Sequence, residues 1–326
     1  MAVVSADRIY SLEEQKDMLY NLEHYHEMPT KYMYFGIGSK RWINITRSRL
    51  EANASKDIHI LERVLLTQKV SSIFDSLSAY GYKNYNIIDF GCGDGSPTYP
   101  IFQYLKTNRP NAKLRYNPID ISTDLLAAAS KNIKEGFGVF GERNKWDLDI
   151  GNFAHITKKL SKPKMGDLYL FLGATLCNMP DMQQDLVHFR ESMEQDDYFL
   201  LGAELLKERD VATIISSYYN VREIFDIMMT AFEYLGARRS YFAYRTTFNK
   251  EKAQIEGYMI PDKDIRIKLA GKDYTFEKDA PVMCFRSVRF TTERLAGLFE
   301  RAGFRIEMFT TSRENKYALV LAQPAI

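Results

Sequence analysis

Apolar positions along this chain follow two periods. Asp57 to Tyr80 carries Ile60, Leu61, Val64, Leu65 and Ile73 at helical spacing and closes on Gly81. From Asn86 onward, short apolar runs alternate with amphipathic stretches. Ile87, Ile88 and Phe90 predict a buried strand, and Lys113 to Ile119 a second. Asp167 to Leu172 (DLYLFL) is a continuous apolar run, as expected of a strand covered on both faces. Tyr198 to Gly202 gives another. Between these strands, Ser122 or Thr123 caps a helix with Leu125, Leu126, Ala129 and Ile133 on one face. Asp181 caps the next, through Leu186 and Phe189. Trp146 to Phe153 reads as a strand and turn. This alternation predicts an α/β fold built on a doubly wound parallel sheet.

Outside that core the pattern changes. Ser11 to Glu27 is helical, with a capping box from Ser11 to Glu14, and Met28-Pro29 ends it. Lys31 to Thr46 (KYMYFGIGSKRWINIT) is aromatic and glycine-containing, unlike a plain connector. Val221 to Leu235 is a helix with Ile224, Phe225, Met228, Phe232 and Leu235 on one stripe. Arg238 to Arg289 alternates like antiparallel strands. Thr291 to Ala302 is a helix capped by Gly303, and Phe304 to Thr311 with Tyr317 to Ala322 forms a closing hairpin. The expected organisation is an N-terminal part (1–55), a nucleotide-binding core (56–203), an insertion (204–288) and the end of the core (289–326).

Charge and composition exclude more than they assign. The 326 residues carry 44 basic and 42 acidic side chains, a formal charge of +2 that demands neither nucleic acid nor an anionic membrane. Cys92, Cys177 and Cys284 form no C-x-x-C pair, so a disulfide framework or zinc cluster is not expected. MAVVSADR has no apolar signal core and no run reaches membrane-spanning length; the expectation is a cytoplasmic protein. His24, His26 and Glu27 have no further ligand at metal-site spacing, and no G-x-S-x-G elbow is present. Arg238 to Lys252 interleaves basic and aromatic residues, as a nucleic-acid face does. Alternation on a half-exposed strand accounts for it equally well.

The stretch with chemistry is Asn86 to Tyr99, NIIDFGCGDGSPTY. A buried strand runs into Gly91, Gly93 and Gly95; Ser96 is a candidate N-cap and Pro97 a first helical residue. Such a turn lets a ligand's backbone-facing groups approach closely. The spacing is G-x-G-x-G, with Ser96 where the dinucleotide fingerprint has its last glycine, which favours S-adenosylmethionine over nicotinamide cofactors. Asp120, 25 residues past Gly95 at the end of the second strand, is placed to accept hydrogen bonds from ribose hydroxyls, or to cap a helix. Asn152-Phe153 falls at the third strand tip, near where adenine would lie, with Asp147 and Asp149 as competitors. Asn178 and Pro180 follow the fourth strand, without the second proline and aromatic of base-amine methylating enzymes.

Together with KYMYFGIGSKRWINIT, DFGCGDG, NPIDIS, GNF, LFLGATLCN, LLGAELLK, RSVRFTTE and the final AGF…ALVLA, these features make the chain similar to the histidine-specific methyltransferase family over nearly its whole length. The resemblance implies a class I, Rossmann-like methyltransferase sheet and a second α+β substrate-binding domain formed from the N-terminus and the insertion. It implies S-adenosylmethionine as cofactor and S-adenosylhomocysteine as product. Asp89, Gly91, Gly93, Asp120, Asn152 and Phe153 would hold the cofactor. Tyr34, Asn178 and either Tyr218 or Tyr219 would contact an amino-acid substrate, with Tyr34 and Asn178 at its amine.

Departures from the family bear on the substrate. Glu51-Ala52-Asn53 stands where the family has Glu-Tyr-Tyr-Pro, Trp42 replaces a phenylalanine, and Phe285 precedes Ser287 where the histidine enzyme has a glutamate. Losing that carboxylate leaves an imidazole N–H unpaired, at roughly 1–3 kcal/mol. The expected function is N-methylation of an amine or guanidine nitrogen of an amino acid or a derived small molecule other than histidine, in natural-product biosynthesis. The expected partner is that small molecule, with no nucleic acid and no membrane, on a monomer or weak homodimer. A cofactor-fold binding protein without catalysis and an RNA or protein methyltransferase are the alternatives.

Overall fold

In a computed structural model, which describes residues 9–52, 57–146, 153–206, 211–212, 215 and 222–325 (backbone alone for 153–155), the chain forms two compact units. One comprises Met1–Ile45 and Glu208–Val288, the other Thr46–Lys207 and Arg289–Ile326. In chain order the elements are α1 (Leu12–Tyr25), α2 (Ile37–Ala52), α3 (Ile58–Ala79), β1 (Tyr85–Phe90), α4 (Tyr99–Asn108), β2 (Leu114–Asp120) and α5 (Thr123–Phe137). Then come β3 (Asn144–Lys145), α6 (Phe153–Leu160), β4 (Gly166–Phe171), α7 (Met182–Glu191), β5 (Tyr198–Glu204) and α8 (Arg222–Tyr234). The chain ends with β6 (Phe242–Asn249), β7 (Gln254–Pro261), β8 (Ile265–Leu269), β9 (Lys272–Phe276), β10 (Val282–Val288), α9 (Thr292–Arg301), β11 (Phe304–Thr311) and β12 (Tyr317–Pro324).

The larger unit is built on a seven-stranded sheet in the order β11-β12-β5-β4-β1-β2-β3. β1 to β5 pair in parallel, while β12 joins β5 and β11 joins β12 antiparallel. Every residue of β1, β4 and β5 is buried, which explains why these strands read as largely apolar runs. Phe189 of α7 covers three of them, 4.7 Å from Phe90, 5.2 Å from Phe171 and 5.1 Å from Phe199 between ring centroids. Such a ring contributes about 1.5–3 kcal/mol through burial alone. The strand order reverses where β1 lies between β4 and β2, the position at which open α/β sheets leave a crevice at their carboxyl edge.

The smaller unit holds α1, α8, the sheet β10-β7-β6 and the hairpin β8-β9. The Ser11–Glu14 capping box is present: the Ser11 N–H donates to the Glu14 carboxylate and the Glu14 N–H to Ser11 Oγ. After α1 the chain runs along β10, with the Met28 N–H donating to Met283 O at 2.8 Å and the Met283 N–H to His26 O at 2.9 Å.

Several local expectations are corrected. Lys31 to Thr46 holds a 3-10 turn, Thr30–Tyr34, and most of α2. In α3 the buried apolar residues are Leu65, Leu66, Val70, Ile73, Phe74 and Leu77, with His59 and Glu62 buried beside them, while Val64 is 46% exposed. The third strand among the described residues is Asn144–Lys145, and the strand and turn expected at Trp146 to Phe153 fall mostly outside them. β3 follows the short edge that Ile119 and Asp120 leave for pairing, and residues 147–152 lie outside the described part.

Candidate functional site

The turn that leaves β1 needs glycine for conformational reasons. Gly91, Gly93 and Gly95 have φ of +63°, +54° and +78°, in the left-handed region. A Cβ on Gly91 would lie 2.7 Å from Thr175 Cγ2, so the loops after β1 and β4 touch with no room for a side chain. The Gly91 and Cys92 N–H groups donate to Ile119 O at 2.9 and 3.2 Å, tying the turn to β2. Ser96 is not the cap: Gly95 takes that position, Ser96 opens a 3-10 turn (Ser96–Thr98), and its N–H donates to Asp94 Oδ1 at 3.0 Å.

Asp120 ties the glycine turn to the start of the next helix. Its Oδ1 accepts the Ser122 N–H at 2.9 Å and its Oδ2 accepts the Gly93 N–H at 3.2 Å. Burial pushes its carboxyl up to about 6, against the pull of those N–H groups. Ser122, not Thr123, caps α5 by accepting the Leu125 N–H. Asp89 is 2% exposed and its Oδ2 accepts the Tyr116 hydroxyl proton at 2.8 Å, so it braces the turn from within the sheet. Burial first, then the charges of Glu62 and Asp120, push it up to about 8.

Beyond β4 the chain turns through Gly173 and Ala174, both at positive φ, into the 3-10 turn Thr175–Asn178. Asn178 ends this turn, half-buried, at the same carboxyl edge as Gly91 and Asp120. Thr175 Oγ1 donates to Leu172 O at 2.8 Å, and the Gly173 N–H donates to Glu62 Oε2 at 2.9 Å. Glu62 was not among the sequence candidates, although its signal was there: it falls on one stripe with Leu66, Val70, Ile73 and Leu77. Thr175 and Tyr116 were missed too, because nothing local marks them.

The smaller unit places Tyr34 at the end of its 3-10 turn and Trp42 on α2, their rings edge-to-face at 5.4 Å and 83°. Phe285 and Ser287 sit two apart on β10, hence on one face, 7% and 2% exposed, with Phe285 opposite Gly257. In β6, Ala243 and Arg245 are exposed while Phe242 and Thr246 are buried, the alternation of a half-exposed strand. Nearby, Arg239 pairs with Asp226 and lies 4.6 Å from the Phe225 ring centroid. Asn152, Tyr218 and Tyr219 lie outside the described residues, as does the side chain of Phe153, which opens α6. All three cysteines are free and buried. Among the described residues no three ligand side chains are arranged to hold a metal ion, and no helix is long and apolar enough to cross a membrane.

A glycine turn at the switch point of a doubly wound sheet, with an acid on the next strand tip, is the site of a protein that binds an adenosine-bearing cofactor. A family model described as "Histidine-specific methyltransferase, SAM-dependent" matches residues 13–324, and the chain belongs to that family. No curated protein is matched. Among solved structures, an S-adenosylmethionine-dependent methyltransferase from Clostridium acetobutylicum ATCC 824 is 10% identical, with 88% of this chain and 99% of that one covered at a TM-score of 0.49. Magnesium protoporphyrin IX methyltransferase from Synechocystis PCC 6803, with bound S-adenosylhomocysteine, is 14% identical over 90% of this chain and 98% of that one, at 0.45. A sugar N-methyltransferase from Streptoalloteichus sp ATCC 53650 is 10% identical over 86% and 93%, at 0.41. These are distant likenesses and assign this chain no substrate.

The cofactor is therefore S-adenosylmethionine, and the residues fit it. A bare left-handed turn, closed on one side by Thr175, offers backbone where a side chain would obstruct, and Asp120 supplies an acceptor beside it.

Proposed function

We propose that this protein is an N-methyltransferase acting on an amine or guanidine nitrogen of an amino acid or amino-acid-derived small molecule other than histidine. When bound, S-adenosylmethionine supplies an electrophilic methyl on a sulfonium. The chain's task is to bind, orient and exclude water. Asp120 accepts hydrogen bonds from the ribose, and the backbone of the Gly91–Gly95 turn, bare of side chains at its glycines, lets the rest of the cofactor approach. The groups that the family resemblance assigns to the acceptor nitrogen, Tyr34 and Asn178, are both neutral. Neutral partners do not stabilise an ammonium, so the nitrogen loses its proton to water and attacks as the free amine. Tyr34 and Trp42 offer ring faces to a cationic methylated product.

The observation that carries the substrate reading is Phe285, buried on the same face of β10 as Ser287. Where the histidine enzyme presents a carboxylate, this chain presents a ring, which favours a side chain without a buried N–H to satisfy. The test is calorimetric titration of the S-adenosylhomocysteine complex with histidine and with a panel of amino acids, guanidines and amines. Binding of a panel member at least tenfold tighter than histidine supports the reading; tightest binding of histidine overturns it.

A further inference from the structure

Two buried carboxylates pin the two loops that meet at the switch point. Asp120 accepts the Gly93 N–H in the loop after β1, and Glu62 accepts the Gly173 N–H in the loop after β4. Glu62 is 2% exposed and reaches its position from α3 because Gly202 of β5 leaves room: a Cβ there would collide with Glu62 Oε2 and with the Tyr317 hydroxyl that donates to it. The loop Glu62 fixes leads to Asn178, and Asp89, the last-but-one residue of β1, feels its charge.

We propose that Glu62 is a positioning residue of the cofactor site, and that its charge, with that of Asp89, makes the site favour the sulfonium cofactor over its neutral thioether product; this rests on the methyltransferase reading above. The two molecules differ by one positive charge, which is lost when the methyl leaves. Carboxylates under the site, when ionised, therefore attract the reactant and not the product, and they do so without moving.

The surroundings reinforce this polarity. Facing Asp89 are Tyr116 from β2, Asp120, and Cys92, whose own thiol is raised by burial and then by Asp120, Asp89 and Asp94. Facing Glu62 are Tyr317 from β12 and, within α3, His59, which pairs with Asp57. Glu204 and Cys177 also act on Tyr317, and Glu204 is paired with the buried Arg289 at 2.7 Å. Burial raises both Glu62 and Asp89 above the ordinary carboxylate range. A sulfonium nearby draws a proton off this pair, so its preference grows as pH rises.

The experiment is isothermal calorimetry of S-adenosylmethionine and S-adenosylhomocysteine with the wild type and with Glu62→Gln and Glu62→Ala, and with the wild type from pH 6 to 9. Glu62→Gln keeps an oxygen for Gly173 and Tyr317; it leaves product affinity within threefold and weakens the cofactor about tenfold. Glu62→Ala, which removes the acceptor, weakens both. In the wild type the cofactor-to-product affinity ratio climbs with pH, a reading independent of whether the variants fold. A ratio flat in pH, or a Glu62→Gln variant that shifts both ligands equally, overturns the inference and leaves the methyltransferase reading standing. Failure of both ligands to bind the wild type overturns the two together.

Discussion

Gly202→Ala is expected to be one of the most damaging single-methyl additions in the larger unit. The new Cβ would run into the Glu62 carboxylate and the Tyr317 hydroxyl, which are 2% and 0% exposed and have no open side to move toward. Displacing them breaks the Tyr317 hydrogen bond and loosens the one from Gly173. A buried group left without its partner costs about 1–3 kcal/mol. Forcing a methyl into a filled core costs about 1–3 kcal/mol more. A total of about 2–6 kcal/mol lowers the thermal midpoint by roughly 5–20 °C for a unit of this size. Gly136→Ala is the control: in α5, with nothing within 4 Å of its would-be Cβ, it gains about 0.5–1 kcal/mol of helix propensity. Urea unfolding followed by far-ultraviolet circular dichroism separates the two. A Gly202→Ala midpoint equal to wild type, beside a stabilised Gly136→Ala, would refute the packing described for Glu62.

Three further outcomes are expected. Gly91→Ala combines about 1–2 kcal/mol of left-handed strain with a 2.7 Å contact to Thr175, so calorimetry should read at least tenfold weaker S-adenosylhomocysteine binding; unchanged affinity contradicts the cradle. Asn178→Ala should lower the single-turnover rate of methyl transfer at least tenfold while cofactor affinity stays within twofold; an intact rate removes Asn178 from the chemistry. Burial, then Asp167, pushes the Asp197 carboxyl up to about 8, so between about pH 4 and 8 the folded state keeps a proton that the unfolded state has lost. Stability then falls as pH rises, by up to about 1.4 kcal/mol per pH unit from this site. Asp197→Asn keeps an oxygen for the Glu194 N–H but does not ionise, so the drop in urea midpoint from pH 5 to pH 8 should shrink; an identical drop contradicts the assignment.

The central sheet was legible because a parallel strand covered on both faces is apolar along most of its length, as β4 and β5 are, with Asp167 and Glu204 only near their ends. The glycine turn was legible because left-handed backbone at Gly91, Gly93 and Gly95 demands that residue. α2 was not, since Gly36 and Gly38 open a segment whose aromatics obscure the helical period. The stripe of α3 was misjudged because Val64 is an apolar residue on its exposed face, and the informative residue was the one carboxylate on its buried face. β3 escaped because a two-residue edge strand has no period to show. Within the site, Asp120 could be read from its distance to the turn. Glu62, Tyr116 and Thr175 act through contacts between residues far apart in sequence, which no local spacing reveals.

The most direct test of the methyltransferase account is to incubate the protein with methyl-labelled S-adenosylmethionine and a panel of amino acids, guanidines and amines, histidine included, and locate the label by mass spectrometry. The label is predicted on the nitrogen of a small molecule other than histidine, with S-adenosylhomocysteine formed in equal amount. Label on histidine in preference to every other acceptor, on RNA or protein, or nowhere but the cofactor would contradict it.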